Sequence, residues 1–414
     1  MISSLSARKL WQRPEVLRIL FIALLAETGY AVLNISAMPI YLKFDRHYSA
    51  IIIGFVFTGY LLSEASFKGV MGELADRIGR KRLMTFGPAL TIFTSLLTLY
   101  IPESIGVWAI FLIILLRIID GIGASMLWPA AFALMGDTVD EAESQQAMSL
   151  LNVCYFLGVA LALPLGGILD DLLGTIHASF YLTSLLFLAV FITGVRLLPA
   201  DYLGKHHKHL AQVDQLSGLW NSFKKIPEFL ILAFFTFMAI GFPMAIIKIF
   251  AEQQLNMSES AFGLLVLPGA VAMAASSVPM SKLGEQMGQS KAVHRGMALS
   301  VLGLGIISLG AFFPFARHYL FLAIGAIPVG VGFLLAIPAW YTGVSAIDPT
   351  RRAANIGAVM TAQGIGAILG APLGAFFYER FQVYGVVFGH YSPFLGCLAC
   401  LTISWLLSLK ILHV

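Results

Sequence analysis

The 414-residue sequence predicts an all-α integral membrane protein of twelve transmembrane helices in two pseudo-symmetric six-helix bundles. Three observations carry that prediction. Hydrophobic residues fill 58% of positions and charged residues 12%, and mean hydropathy is +0.86; soluble domains are roughly half apolar and about a quarter charged. Apolar stretches of about 20 residues, the length that crosses a bilayer as a helix, recur along the whole chain. The two halves of the chain also repeat each other.

Six stretches of this kind lie near 16–41, 50–71, 83–101, 107–135, 146–169 and 177–198. Six more follow near 229–250, 260–280, 294–315, 319–343, 355–377 and 391–411. The domain plan is therefore an N-terminal bundle at 1–198, a cytoplasmic linker at 199–227 and a C-terminal bundle at 228–414. The linker is polar and contains Lys205-His206-His207-Lys208-His209, which reads as a solvated segment rather than a metal site. The first apolar run is too long for a cleavable signal and carries Glu27. Cys154, Cys397 and Cys400 all fall in apolar runs, so neither a disulfide framework nor a bound metal is expected. The net charge of +4 comes from loop lysines and arginines and does not point to nucleic acid.

Basic residues fix the orientation. Arg8, Lys9, Arg13 and Arg18 surround the start of span 1, Arg77, Arg80, Lys81 and Arg82 follow span 2, and Lys205, Lys208, Lys224 and Lys225 lie in the linker. Lys282, Lys291 and Arg295 follow span 8, and Arg351 and Arg352 follow span 10. The opposite loops hold few, which predicts a multi-pass protein of the cell membrane with both termini cytoplasmic.

The repeat is specific. Gly121-Ile-Gly123 followed by Pro129 matches Gly330-Val-Gly332 followed by Pro338 at an offset of 209. The helix-packing pattern Gly158, Pro164, Gly166, Gly167 matches Gly366, Pro372, Gly374, Ala375 at an offset of 208, with Gly370 opposite Ala162. A parallel duplication of a six-helix unit is the signature of a carrier that rocks two halves about a central site.

Three ionisable residues interrupt the apolar runs. Arg117 and Asp120 share one helix face in span 4, and Glu27 lies in span 1. Each charge costs roughly 2.5–3.5 kcal/mol on insertion scales, so a functional role is the first reading. Counting along the helices places Glu27 and Arg117 near the midplane, where they would meet. Glu27 and Asp120 are then the proton carriers and Arg117 the group that tunes them; the alternative is a permanent structural cluster. Glu64 and Lys68 in span 2 are read as a pair snorkelling at the cytoplasmic end.

The loop after span 2, Gly72-Glu-Leu-Ala-Asp76-Arg77-Ile-Gly79-Arg80-Lys81-Arg82, resembles the signature of the major facilitator superfamily, and Leu283 to Lys291 is a worn second copy. That resemblance implies a conformational latch built from Gly72, Asp76, Arg77, Gly79 and Arg80. Asp76 would face the start of span 11 near Asn355, whose dipole favours an anion, and Glu73, Asp137 and Asp140 would extend the latch by charge pairing. Arg117-x-x-Asp120-Gly121 resembles the superfamily's span-4 motif. Span 5 resembles its antiporter motif, with Ala162-Leu163-Pro164 in place of the expected Gly-Pro step. An acid in span 1 facing an arginine in span 4 resembles the layout of twelve-helix drug–proton antiporters.

Substrate-lining candidates are Tyr30, Asn34, Asn152 and Tyr155 in the first half and Phe242, Trp340 and Gln363 in the second. The expected function is proton-coupled export of amphipathic small molecules by alternating access, in a monomer and with no cofactor beyond the proton gradient. Sodium is an alternative ion, because a carboxylate beside the Asn34 oxygen would coordinate it. A lipid or lysolipid translocator, or a metabolite or siderophore carrier, is the alternative within the same superfamily. A non-transporting sensor or a channel is the alternative outside carriers. No convergent catalytic group points to an enzyme, and no G-x-x-x-x-G-K-[ST] loop points to ATP hydrolysis.

Overall fold

In lipid an apolar stretch must close its own backbone hydrogen bonds, which favours helices. The computed structural model describes residues 10–139, 143–198, 226–347 and 352–411, and no strand occurs among them. Six long helices come first: α1 Pro14–Asp45, α2 Ala50–Ile78, α3 Arg80–Leu99, α4 Val107–Thr138, α5 Ser144–Leu173 and α6 Ala178–Leu197. Six more follow: α7 Pro227–Met244, α8 Glu259–Met287, α9 Gln289–Ser308, α10 Tyr319–Ile347, α11 Arg352–Arg380 and α12 Val386–Ile411. Eleven of these are long and apolar enough to cross a membrane. The start of α8 passes only with the short helix Ile247–Leu255, from which it is bent by 119°.

Two expected spans come out differently. The stretch at 229–250 breaks after Met244, because Pro243 removes a backbone donor and the chain turns at Ala245 and Ile246. The stretch at 50–71 continues to Ile78, since its polar C-terminal end still forms helix. The proposed linker lies almost entirely outside the described residues.

The chain forms two compact units. The first draws on Met1–His47, Gly59–His206 and Ser258–Ala270, the second on Tyr48–Thr58, His207–Met257 and Val271–Val414. Thus α2 and α8 each change unit along their length.

Inside a bilayer, packing rather than hydrophobic transfer drives helix association, and small residues permit close contact. In the first unit a Cβ on Gly87 would meet the Gly123 carbonyl oxygen at 2.8 Å; in the second, a Cβ on Gly296 would meet the Gly332 carbonyl oxygen at 2.5 Å. These α3–α4 and α9–α10 crossings are related by the offset of 209 seen in the sequence. Gly79 and Gly288, also 209 apart, turn α2 into α3 and α8 into α9 at φ of 112° and 82°, which a residue with a side chain adopts only under strain.

The helix ends opposite Gly79 and Gly288 repeat the pattern. In the first unit Asp171, near the end of α5, accepts hydrogen bonds from the Ser260 backbone N–H and hydroxyl at the start of α8. In the second, Glu379 near the end of α11 accepts from the Ile51 N–H at 3.3 Å, at the start of α2. Each carboxylate meets the free N–H groups of a helix terminus.

Candidate functional site

Two glycines from the repeated motifs set the site. A Cβ on Gly158 in α5 would meet Glu27 Cβ and Cγ, both at 2.8 Å, so this glycine lets α5 lie directly against α1 at the acid. A Cβ on Gly121 in α4 would meet the Ser63 hydroxyl and the Glu64 backbone nitrogen in α2. Both glycines therefore press a helix onto one that carries a carboxylate.

Depth follows from the helix ends. Glu27 is thirteen residues from Pro14, about 20 Å along its helix at 1.5 Å per residue. The apolar span of α2 ends at Lys68, so Lys68 lies at its boundary and Glu64 one turn within it, and the extra length of the helix runs beyond the span.

These groups share one environment. The Trp128 indole N–H donates to Glu27 Oε2 at 3.0 Å, and Glu27 is 7% exposed. Lys68 Nζ pairs with Glu64 Oε1 at 2.7 Å, their side chains 47% and 16% exposed. Glu27 lies within electrostatic reach of both Glu64 and Lys68. The ring of Tyr155 sits 5.4 Å from that of Trp128 and contacts Phe156, and it keeps 41% of its surface. Tyr30 is buried against Phe187 at 4.6 Å and faces Tyr60 at 6.3 Å. The result is a carboxylate anchored on a tryptophan, a carboxylate–ammonium pair and an aromatic corner, all in the first unit.

The expected meeting of Glu27 with Arg117 does not occur. Trp128, which holds Glu27, is eleven residues further along α4 than Arg117, about 16 Å down the axis. Arg117 instead pairs with Asp120 Oδ2 at 2.7 Å and donates to the Thr98 hydroxyl at 3.2 Å. Asp120 accepts from the Thr94 hydroxyl, and both members of the pair are fully buried. They join α3 to α4, with Arg117 Nε and Nη1 buried and without a hydrogen-bond partner among the described residues.

Asn34 is buried and its amide donates to the Tyr30 carbonyl one turn back, at 2.9 Å. Asn152 is exposed. In the second unit Phe242, expected to face a cavity, is 3% exposed; its ring is held against Phe377 and fills the space beside Gly396. Trp340 is 2% exposed, and Gln363, also buried, accepts from the Tyr341 hydroxyl at 2.6 Å. None of these three presents a free surface.

Of the latch residues, Gly72 lies against Pro129 in α4 and Arg80 pairs with Asp137 while donating to the Ala133 carbonyl. Lys81 donates to the Leu198 carbonyl at 2.9 Å, and Arg77 is exposed. The side chains of Glu73, Asp76, Asp140 and Asn355 lie outside the described residues.

Duplicated helices around an intramembrane acidic site define a polytopic membrane carrier. The profile of the Major Facilitator Superfamily matches residues 19–246 and 229–410, so the chain belongs to that superfamily. It is 26% identical over 261 residues to the chloramphenicol resistance protein CraA of Acinetobacter baumannii, covering 61% of this chain and 59% of that protein. It is 24% identical over 361 residues to the proton-coupled antiporter flippase LtaA of Staphylococcus epidermidis, covering 87% and 85%. In fold it is similar to a mutant of the nucleoside transporter NupG, with a TM-score of 0.79 at 12% identity, covering 96% of this chain and 100% of that one.

Proposed function

We propose that this transporter is a proton-coupled antiporter of the cell membrane that exports amphipathic small molecules by alternating access, with both termini cytoplasmic. The observation that carries the reading is Glu27: a mid-membrane carboxylate held by an indole N–H, beside a second carboxylate, Glu64, that already has an ammonium partner. A carboxylate of this kind binds either a proton or a cationic group, and one site that takes both in turn couples their movements. Glu27 is the proton-binding carboxylate, with the Glu64–Lys68 pair beside it; Trp128 positions Glu27, and Tyr155 offers a face to an organic cation. Arg117 and Asp120 are assigned a structural role. The gradient supplies the energy and no cofactor takes part.

A second reading is favoured by the extent of the match to the flippase LtaA, which runs through most of both chains. In that reading the amphipathic substrate is a lipid and the same carboxylates couple its movement to protons.

Proteoliposomes test the proposal. A panel of lipophilic cations, zwitterionic lipids and neutral drugs is added while internal pH is recorded, for the parent, Glu27→Gln, Glu64→Gln and Asp120→Asn. Substrate-evoked proton movement lost in Glu27→Gln and retained in Asp120→Asn supports it. Equal substrate movement in all four proteins without proton flux refutes the coupling.

A further inference from the structure

The repeat relates one helix corner in each unit. Gln363 follows Tyr155 at the offset of 208 that relates the glycine motifs. The α10–α11 corner of the second unit is thus the counterpart of the α4–α5 corner of the first, where Tyr155 meets Trp128. The chemistry of the two corners differs. In place of a half-exposed aromatic ring, the second holds a buried amide, with the Tyr341 hydroxyl donating to Gln363 Oε1 at 2.6 Å.

That bond uses only half of the amide. Gln363 Nε2 is buried and makes no hydrogen bond among the described residues, and neither does the indole Nε1 of Trp340, the neighbour of Tyr341. Gln363 is 5% exposed and Trp340 2%. Trp340 packs in the apolar cluster that contains Ala362, the neighbour of Gln363. A buried donor without an acceptor is costly, and nearly all such groups in folded proteins have a partner. The indole nitrogen is a donor only, so what this corner lacks is an acceptor. The charge of that acceptor follows from the helices, since α10 carries no charged residue and α11 none between Arg352 and Glu379. A carboxylate or phosphate would stand there without a counter-charge, where unpaired charge is heavily penalised.

We infer that the Tyr341–Gln363 corner is a specificity site that binds an uncharged acceptor oxygen of the transported molecule, such as a carbonyl or amide oxygen. Tyr341 orients the amide, Gln363 Nε2 donates to the oxygen, and Trp340 supplies a second donor at the same corner. The inference deepens the proposed export of amphipathic molecules and rests on it, because both donors are covered in this conformation and the oxygen reaches them during the transport cycle. The substrate class is then an amphipathic cation that carries a neutral carbonyl group.

The para-acetyl and para-isopropyl derivatives of tetraphenylphosphonium share one permanent positive charge and nearly one shape, and differ by a carbonyl oxygen in place of a methyl group. Binding of each is measured to the parent, Gln363→Leu, Tyr341→Phe and Trp340→Phe in nanodiscs, with Tm recorded for every variant. The parent is expected to prefer the acetyl compound by roughly tenfold, Gln363→Leu to lose that preference, and Tyr341→Phe and Trp340→Phe to reduce it. Equal binding of the two compounds by the parent overturns the inference, as does a preference that survives in folded Gln363→Leu. Where Gln363→Leu fails to fold, the ratio in Tyr341→Phe decides. Proton release evoked by the isopropyl compound separates this inference from the coupling: release that survives Glu27→Gln refutes the coupling, while the acetyl preference still decides the corner. Absence of saturable binding of either compound to the parent refutes both.

Discussion

The indole N–H of Trp128 donates to Glu27 Oε2 at 3.0 Å, tying the acid of α1 to α4 inside the first unit. Everything proposed for the coupling site depends on this contact, because it decides which part of α4 the carboxylate addresses. A hydrogen bond to a charged group contributes about 1.5–3 kcal/mol. Trp128→Phe keeps the ring and loses the donor. Substrate-evoked proton flux is expected to fall by roughly tenfold or more, with thermal stability reduced far less than by removing the ring.

Gly158 is predicted to tolerate nothing larger than hydrogen. Gly158→Val places methyl groups where Glu27 Cβ and Cγ already lie at 2.8 Å from the first added carbon. Overpacking of this kind costs about 1–3 kcal/mol. A fall in Tm together with lost transport is expected, while Gly305→Ala, where an added Cβ meets nothing within 4 Å, leaves both unchanged.

The Arg117–Asp120 clamp separates a structural role from a coupling one. Arg117→Leu leaves a buried carboxylate unpaired and is expected to cost about 3–5 kcal/mol, whereas Arg117→Leu with Asp120→Leu recovers most of the loss. Thermal unfolding gives the first comparison. If the double variant also exchanges protons for substrate, Asp120 carries no proton in the cycle; loss of exchange in a fully stable double variant restores it as a carrier.

The carboxylate caps make a local prediction. Asp171→Asn and Glu379→Gln weaken carboxylate contacts with the starts of α8 and α2, contacts that resemble helix N-caps and are worth about 0.5–2 kcal/mol each. Hydrogen exchange is expected to quicken in the first turn of α8 for the former and of α2 for the latter, with exchange in α4 unaltered.

Most of the fold was legible because lipid leaves few options: a long apolar run must be a helix, and the glycine repeats at offsets of 208 and 209 reappear as matched helix crossings. The break after Pro243 was not legible, since proline inside a membrane helix is often accommodated. The site was read in part. Glu27 stood out as a lone acid in an apolar run, but its partner did not, because depth was counted from helix ends that were themselves uncertain. The seven further residues of α2 read as loop and form helix, but the apolar span ends at Lys68, so Glu64 and Lys68 keep the place near its boundary that the sequence suggests. Their i,i+4 spacing read correctly as a pair on one helix face. Trp128 was hidden by the opposite problem, since a tryptophan in a membrane helix usually reads as packing or as an interface anchor. The burial of Phe242 was beyond sequence, because an aromatic ring facing a cavity and one facing a glycine occupy the same kind of position.

Proton release measured directly on the purified protein tests the central claim that one site takes proton and substrate in turn. Saturating cationic substrate is added to the parent and to Glu27→Gln in weakly buffered detergent solution, and the protons set free are counted. The account predicts about one proton per parent molecule, since Glu27 is the one carboxylate assigned to bind it, and none from Glu27→Gln. Equal release from both proteins, or substrate binding to the parent with no release at any pH, would contradict it.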